Sequence, residues 1–283
     1  MSTAKAFKSS RFIKTGKRIF SRSFDGHRVD VLLPKEHSAT TPVLVMHDGM
    51  NVLFEKYASS GDTWQVIEAI KSKRLVQKII VIAVWGEGGA KKYNPRRINE
   101  FLCDDVFSQH PELWETLNPA LTPPNREARG NYLMDLVADQ ILPSVANEFS
   151  IELNPKRTAI AGCSVAGVAA VYSVLRRPDI FGAALGFSSH WEFGGEKLID
   201  SLIVQLKSRS HLKVWSDSGD QGLDAKSQPL NNYFGKALEA HGFIRGEGFE
   251  TPTFWGTGHH ETYWARRFEY PVNFWLKDLR GEN

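Results

Sequence analysis

An α/β fold, with a mainly parallel central sheet, helices on both faces and antiparallel strands at the N-terminal end, is what this 283-residue sequence predicts. Two observations carry the prediction. Short, mostly aliphatic or aromatic runs recur at residues 42–46, 78–84, 157–161, 183–187, 212–215 and 252–255, as strands buried on both faces read. Helical stretches at 62–71, 132–149, 166–176, 196–206, 228–241 and 261–276 stand between them, and such alternation argues for parallel strands.

Taken in order, residues 17–24 and 27–33 read as two strands joined by Asp25-Gly26, a pair that tolerates the positive φ of a tight hairpin turn. Residues 1–16 read as a basic N-terminal arm and 17–283 as one domain, because no repeat, linker or low-complexity segment divides the chain. The clearest helix is 132–149, where Leu133, Leu136, Val137, Ile141, Val145 and Phe149 recur at helical spacing and Pro143 invites a kink. Residues 104–130, with Pro111, Pro119, Pro123 and Pro124, read as a long connection placed to cap a pocket.

The hydrophobic content is 42% and there are eight tryptophans, enough for a sizeable core. Net charge is +3, but seven Lys and Arg lie between Lys5 and Arg22 with no acid among them, leaving the rest of the chain slightly acidic. The basic excess is an arm rather than a face, so no nucleic-acid partner is expected. Neither a signal peptide nor a run of about 18 apolar residues is visible, which predicts a cytoplasmic protein with no membrane span. Cys103 and Cys163 offer no disulfide framework and no metal-ligand spacing; both are expected to be reduced and buried.

The chemistry concentrates in three segments. Thr158-Ala-Ile-Ala-Gly162-Cys163-Ser164-Val165-Ala166-Gly167 is a strand running through a small-residue turn into a helix, the layout that pushes a serine hydroxyl outward as a nucleophile. Ala166 stands where G-x-S-x-G has its last glycine, and alone the segment reads equally well as an ordinary βα turn. A serine hydroxyl needs a histidine base and a carboxylate to orient it. After Ser164 come the strand 212–215 followed by Asp217, Asp220 and Asp224, then the strand 252–255 followed by His259, His260 and Glu261. Both groups fall beyond the carboxyl ends of expected parallel strands, where open α/β sheets place their sites. Backbone N–H groups for an oxyanion are expected from Val165 and from Gly49 or Met50, in the turn after strand 42–46.

These residues resemble the esterase family related to enterochelin esterase, esterase D and feruloyl esterases, whose members have the α/β-hydrolase fold. His47-Asp48-Gly49-Met50-Asn51-Val52-Leu53-Phe54 is similar to its H-D-G-Q-N-L-F, and Arg97 to Phe101 to its R-x-x-E-Y. Ser189-His190-Trp191 resembles an S/T-H-W of one branch, and Asp217 to Asp224 resembles D-Y-G-T-E-T-L-D. The segment from Gly256 through His259, Glu261 and Trp264 to Arg266 resembles G-A-E-H-S-E-x-A-W-x-x-R. The resemblance implies a serine esterase with Ser164 as nucleophile, His259 rather than His260 as base, and an acid from 217–224. Asp224 matches the final aspartate, with Asp220 as alternative and Asp217 as a turn cap. Ala166, Met50, Gly258 and His260 depart from the pattern without removing a reacting atom.

No cofactor is implied, and the run His259-His260-Glu261 lacks the helical spacing of a metal site. The expected partner is a small-molecule ester, with a homo-oligomer left open. Trp191, Trp255 and Trp264 suggest a sizeable acyl or alcohol group. His47 and His190 read first as structural histidines, and Arg97 with Glu100 as an ion pair fixing a loop. The rival readings are an acyltransferase or thioesterase using the same triad, and a non-catalytic binding protein on a hydrolase scaffold.

Overall fold

A computed structural model describes residues 8–72, 74–87, 95–119, 122, 125–206 and 211–279. Ile13–Gly16 (β1), Ile19–Phe24 (β2) and His27–Leu32 (β3) form an antiparallel meander, with Phe24 opposite His27 across the turn. Asp25 at φ 42 and Gly26 at φ 82 supply the two positive φ values that this turn requires. Val43–Met46 (β4) lies between Ile80–Val84 (β5), which receives β3 antiparallel, and Thr158–Cys163 (β6). Ala183–Phe187 (β7) and Lys213–Ser216 (β8) extend the sheet in parallel. Ser218–Gly219 (β9) then leaves the sheet, Phe249–Glu250 (β10) pairs with β8 at the far edge, and Thr253–Phe254 (β11) pairs with β9 in a separate ladder. The main order is β1-β2-β3-β5-β4-β6-β7-β8-β10.

Side chains alternate between two cores because successive strand residues face opposite ways. Val43, Val45, Ile80, Ile82, Ile160 and Val214 point into one core, and Leu44, Met46, Val81, Ala159, Leu185 and Trp215 into the other. Helices cover both: Val66–Lys71 (α1), Pro95–Asn99 (α2), Asp104–Gln109 (α3), Gly130–Leu136 (α4), Leu142–Phe149 (α5), Val165–Arg176 (α6), Gly195–Leu206 (α7), Leu223–Ala240 (α8), Glu261–Arg267 (α9) and Glu269–Leu276 (α10). Residues of α4 to α8 pack on the first core, and those of α1, α9 and α10 on the second.

Several expectations are corrected. The run 252–255 is not a central strand: Trp255 is 75% exposed, and the edge of the sheet is β10 instead. Apolar content misled there because the run is only two residues of ladder beside a turn. The basic N-terminus is not an arm up to residue 16, since β1 pairs with β2 and Phe12 packs on Phe24 and Phe149; residues 1–7 lie outside the described residues. The helix expected over 132–149 is α4 and α5 joined by a π-helical turn, Val137–Ile141. Pro143 at the start of α5 has no N–H to continue the α ladder, and the wider turn precedes it. The long connection 104–130 holds α3 and the 3₁₀ turn Pro111–Thr116.

Candidate active site

The parallel strands deliver their carboxyl ends to one rim, so the turns after β4, β6, β7 and β8 converge there. Ser164 follows β6 directly and heads α6, held at φ 59 and ψ −131, a strained conformation for a residue with a Cβ. Its carbonyl accepts from Gly167 N and His190 N, and its N–H donates to Phe187 O at 3.0 Å, so the turn is bound on both sides. A Cβ on Gly162 would stand 2.3 Å from Ala166 O; the glycine before the turn is what allows Ala166 at the crossing.

Across the rim, His259 Nδ1 lies 2.7 Å from Asp224 Oδ1. Asp224 is buried, and its Oδ2 accepts from Gly219 N at 2.8 Å and from Ser188 Oγ at 2.5 Å. Burial opposes ionisation here, but the bonds from His259 and Ser188 outweigh it and hold the carboxyl below its usual range. The two loops are tied together: Asp220 N and Gln221 N both donate to Thr257 O at 3.0 Å. A Cβ on Gly219 would meet that same oxygen at 2.1 Å, so only glycine admits the approach.

The other candidate acids go elsewhere. Asp220 Oδ1 accepts from Gly256 N at 2.6 Å and braces the turn ahead of His259. Asp217, fully buried, takes Ser188 N and Arg267 Nη2 at 2.8 Å and Trp215 Nε1 at 3.0 Å. His260 turns away from His259, its Nδ1 accepting from Thr262 N as a cap on α9.

Ser164, His259, Val165 and Met50 line a common cleft of about 860 Å³, a size typical of ligand sites. Gly49 is not part of the cleft lining, and a Cβ on it would stand 2.6 Å from Trp85 Cδ1 and 2.7 Å from the Ala83 carbonyl carbon. The rest of the lining is mixed, with Asn51, Glu192 and Lys226 beside Ile98, Leu117 and Phe193. Thr116 to Pro119, from the connection 104–130, form part of the wall.

Of the three tryptophans expected near the site, only Trp264 lines the cleft. Trp191 is buried and bonds Ser216 through Nε1, and Trp255 faces solvent. Arg97 does not pair with Glu100: it makes a bidentate ion pair with Asp48 at the rim, and Glu100 bonds His27 Nε2 at 2.7 Å. The spacing of Arg97 and Glu100 suited a local pair, but the turn after β4 brings a carboxylate closer. His47 is buried edge-on to Phe101 and does not reach the cleft; burial pushes it down to about 4. His190 does reach it, and burial together with the charge of His259 pushes it down to about 4 as well, so both rings are neutral at neutral pH.

Sequence reading missed Ser188 and Arg267. The buried arginine lies one residue beyond Arg266, where the motif match ended, and Ser188 carried no signal except its place at a strand end.

The sheet order, with its mainly parallel strands, antiparallel N-terminal strands and helices on both faces, is that of the α/β-hydrolase fold. The chain belongs to the family described as "Putative esterase", which matches residues 25–271. Among solved structures it is similar to enterochelin esterase from Shigella flexneri, at 19% identity and TM-score 0.61, covering 89% of this chain and 55% of that one. BES protein from Bacillus cereus is 13% identical with TM-score 0.65, covering 95% and 99%. Siderophore hydrolase EstB from Aspergillus nidulans is 13% identical with TM-score 0.58, covering 91% and 95%. The uncharacterized protein YbbA of Bacillus subtilis (strain 168) is 23% identical over 160 residues, spanning 54% of this chain and 60% of that protein. The chain thus spans little more than half the length of YbbA and of the Shigella enzyme.

Proposed function

We propose that the protein is a serine carboxylic ester hydrolase working through Ser164, His259 and Asp224 and an acyl-enzyme. The observation that carries this reading is the cleft lined by both Ser164 and His259, with His259 Nδ1 2.7 Å from Asp224 Oδ1. A carboxylate on Nδ1 leaves Nε2 as the basic nitrogen. His259 takes the proton of Ser164 Oγ as that oxygen attacks the ester carbonyl, and the carbonyl oxygen becomes an oxyanion. Backbone N–H groups of Val165 and of Met50 or Gly49 stabilise it, a contribution of about 3–4 kcal/mol per donor in comparable sites. The imidazolium then returns its proton to the departing alcohol, and the acyl group stays on Ser164. Water, deprotonated by the same imidazole, releases the acid and restores the serine.

The substrate is a small-molecule ester, and the cleft volume suits an acyl or alcohol part larger than those of the shortest esters. Ser164→Ala is expected to lower kcat on p-nitrophenyl esters by about 10⁵-fold or more and to abolish labelling by a fluorophosphonate. Retained labelling would remove Ser164 from the mechanism.

A further inference from the structure

The hydroxyl of Ser188 stands at the centre of three polar groups, and their chemistry leaves it one arrangement. Trp264 Nε1 lies 2.9 Å and Arg267 Nη2 2.7 Å from Ser188 Oγ. An indole N–H and a guanidinium can only donate, so both lone pairs of Oγ are used as acceptors. The single hydroxyl proton has one remaining partner, Asp224 Oδ2 at 2.5 Å. That oxygen also takes Gly219 N, so Oδ2 carries no proton; burial opposes ionisation, but the bonds to the carboxyl hold it below its usual range, and as a carboxylate it accepts His259 Nδ1–H at Oδ1.

Proton direction therefore propagates from two obligate donors, through Ser188 and Asp224, to the imidazole. Arg267 is itself fixed, since the same Nη2 donates to Asp217 Oδ1 at 2.8 Å and Nη1 donates to Thr257 Oγ1 at 3.1 Å. Ser188 is buried and held in the left-handed region at φ 44, with its N–H on Asp217, so its Cβ cannot swing away without breaking that bond.

We infer that Ser188 is a positioning residue whose hydroxyl, oriented by Trp264 and Arg267, holds Asp224 as a carboxylate aimed at His259 and so selects the imidazole tautomer that leaves Nε2 basic. The inference rests on the hydrolase reading above, and it acts through Asp224 rather than on substrate.

Ser188→Ala tests it, and Ser188→Gly guards against failure to fold, because glycine removes the same hydroxyl while relieving the left-handed backbone. Both variants are expected to lose about 10- to 100-fold in kcat, the loss typical of a hydrogen bond to a charged group, with KM unchanged. The low-field proton resonance of His259 Nδ1–H should move upfield or broaden in both. Folded variants that keep kcat within about twofold and leave that resonance unmoved would overturn the inference. Ser164→Ala, run alongside, separates the two claims: if it retains activity the hydrolase reading fails, while the His259 resonance still decides whether Ser188 orients the Asp224 pair.

Discussion

Asp220 and Asp224 stand four residues apart, on either side of the start of α8, yet one braces a turn near the surface and the other is buried against an imidazole. Their replacements should separate cleanly. Asp224→Asn keeps the shape but loses the acceptor that sets the tautomer, and kcat is expected to fall by about 10⁴-fold. Asp220→Asn still offers an oxygen to Gly256 N, and kcat should stay within about twofold. Steady-state rates on one ester with matched circular dichroism check both; the opposite ranking would make Asp220 the acid. Which aspartate reaches His259 was not legible from residue order, because three acids within eight positions all follow one strand. The choice is made by the left-handed Gly222, at φ 59, that starts α8 and turns Asp224 inward at its second residue.

At the scale of elements, the turn between β6 and α6 carries most constraint. Small residues at 162, 166 and 167 announced it, and the structure gives the reason: strand and helix backbones cross with no room for a methyl at Gly162. Gly162→Ala is expected to destabilise the fold at or above the upper end of about 1–3 kcal/mol, because the opposing atom is a backbone oxygen that cannot swing aside. Thermal or denaturant melts measure this, and an unchanged midpoint would show that the turn yields. The same scale holds the misread elements. The two residues Thr253–Phe254 carry too little pattern to tell a buried strand from a short ladder, and the helix expected over 261–276 is two helices meeting at Phe268. Periodicity registers which side of a segment is buried, and a change of axis between two short helices leaves that signal intact.

For the whole molecule, folding brings distant charges together in ways that tie stability to pH. His27 Nε2 faces Glu100 Oε1 at 2.7 Å and its Nδ1 faces Asp25 O at 3.1 Å, so both ring nitrogens meet acceptors. Burial alone would push the imidazole down, but the bond and charge of Glu100 prevail and the net shift is upward from 6.5. A proton held more tightly in the folded chain stabilises it. That contribution is complete below the unfolded value of about 6.5 and is lost as pH rises through the higher folded value. Melts of the wild type and Glu100→Gln between about pH 6 and pH 9 should show the gap in Tm narrowing upward; a constant gap would mean the pair is not an imidazolium and a carboxylate.

The alternation of strand and helix, the sheet buried on both faces, the small-residue turn that carries Ser164 and the segment that carries His259 are legible in the residue pattern alone, because hydrophobic period and turn chemistry are local properties of neighbouring residues. Folding is what brings Arg97 to Asp48, His27 to Glu100, and Ser188, Trp264 and Arg267 to the surroundings of Asp224. Those partners lie tens of residues apart in the chain, and it is the packing of helices against the sheet that makes them neighbours.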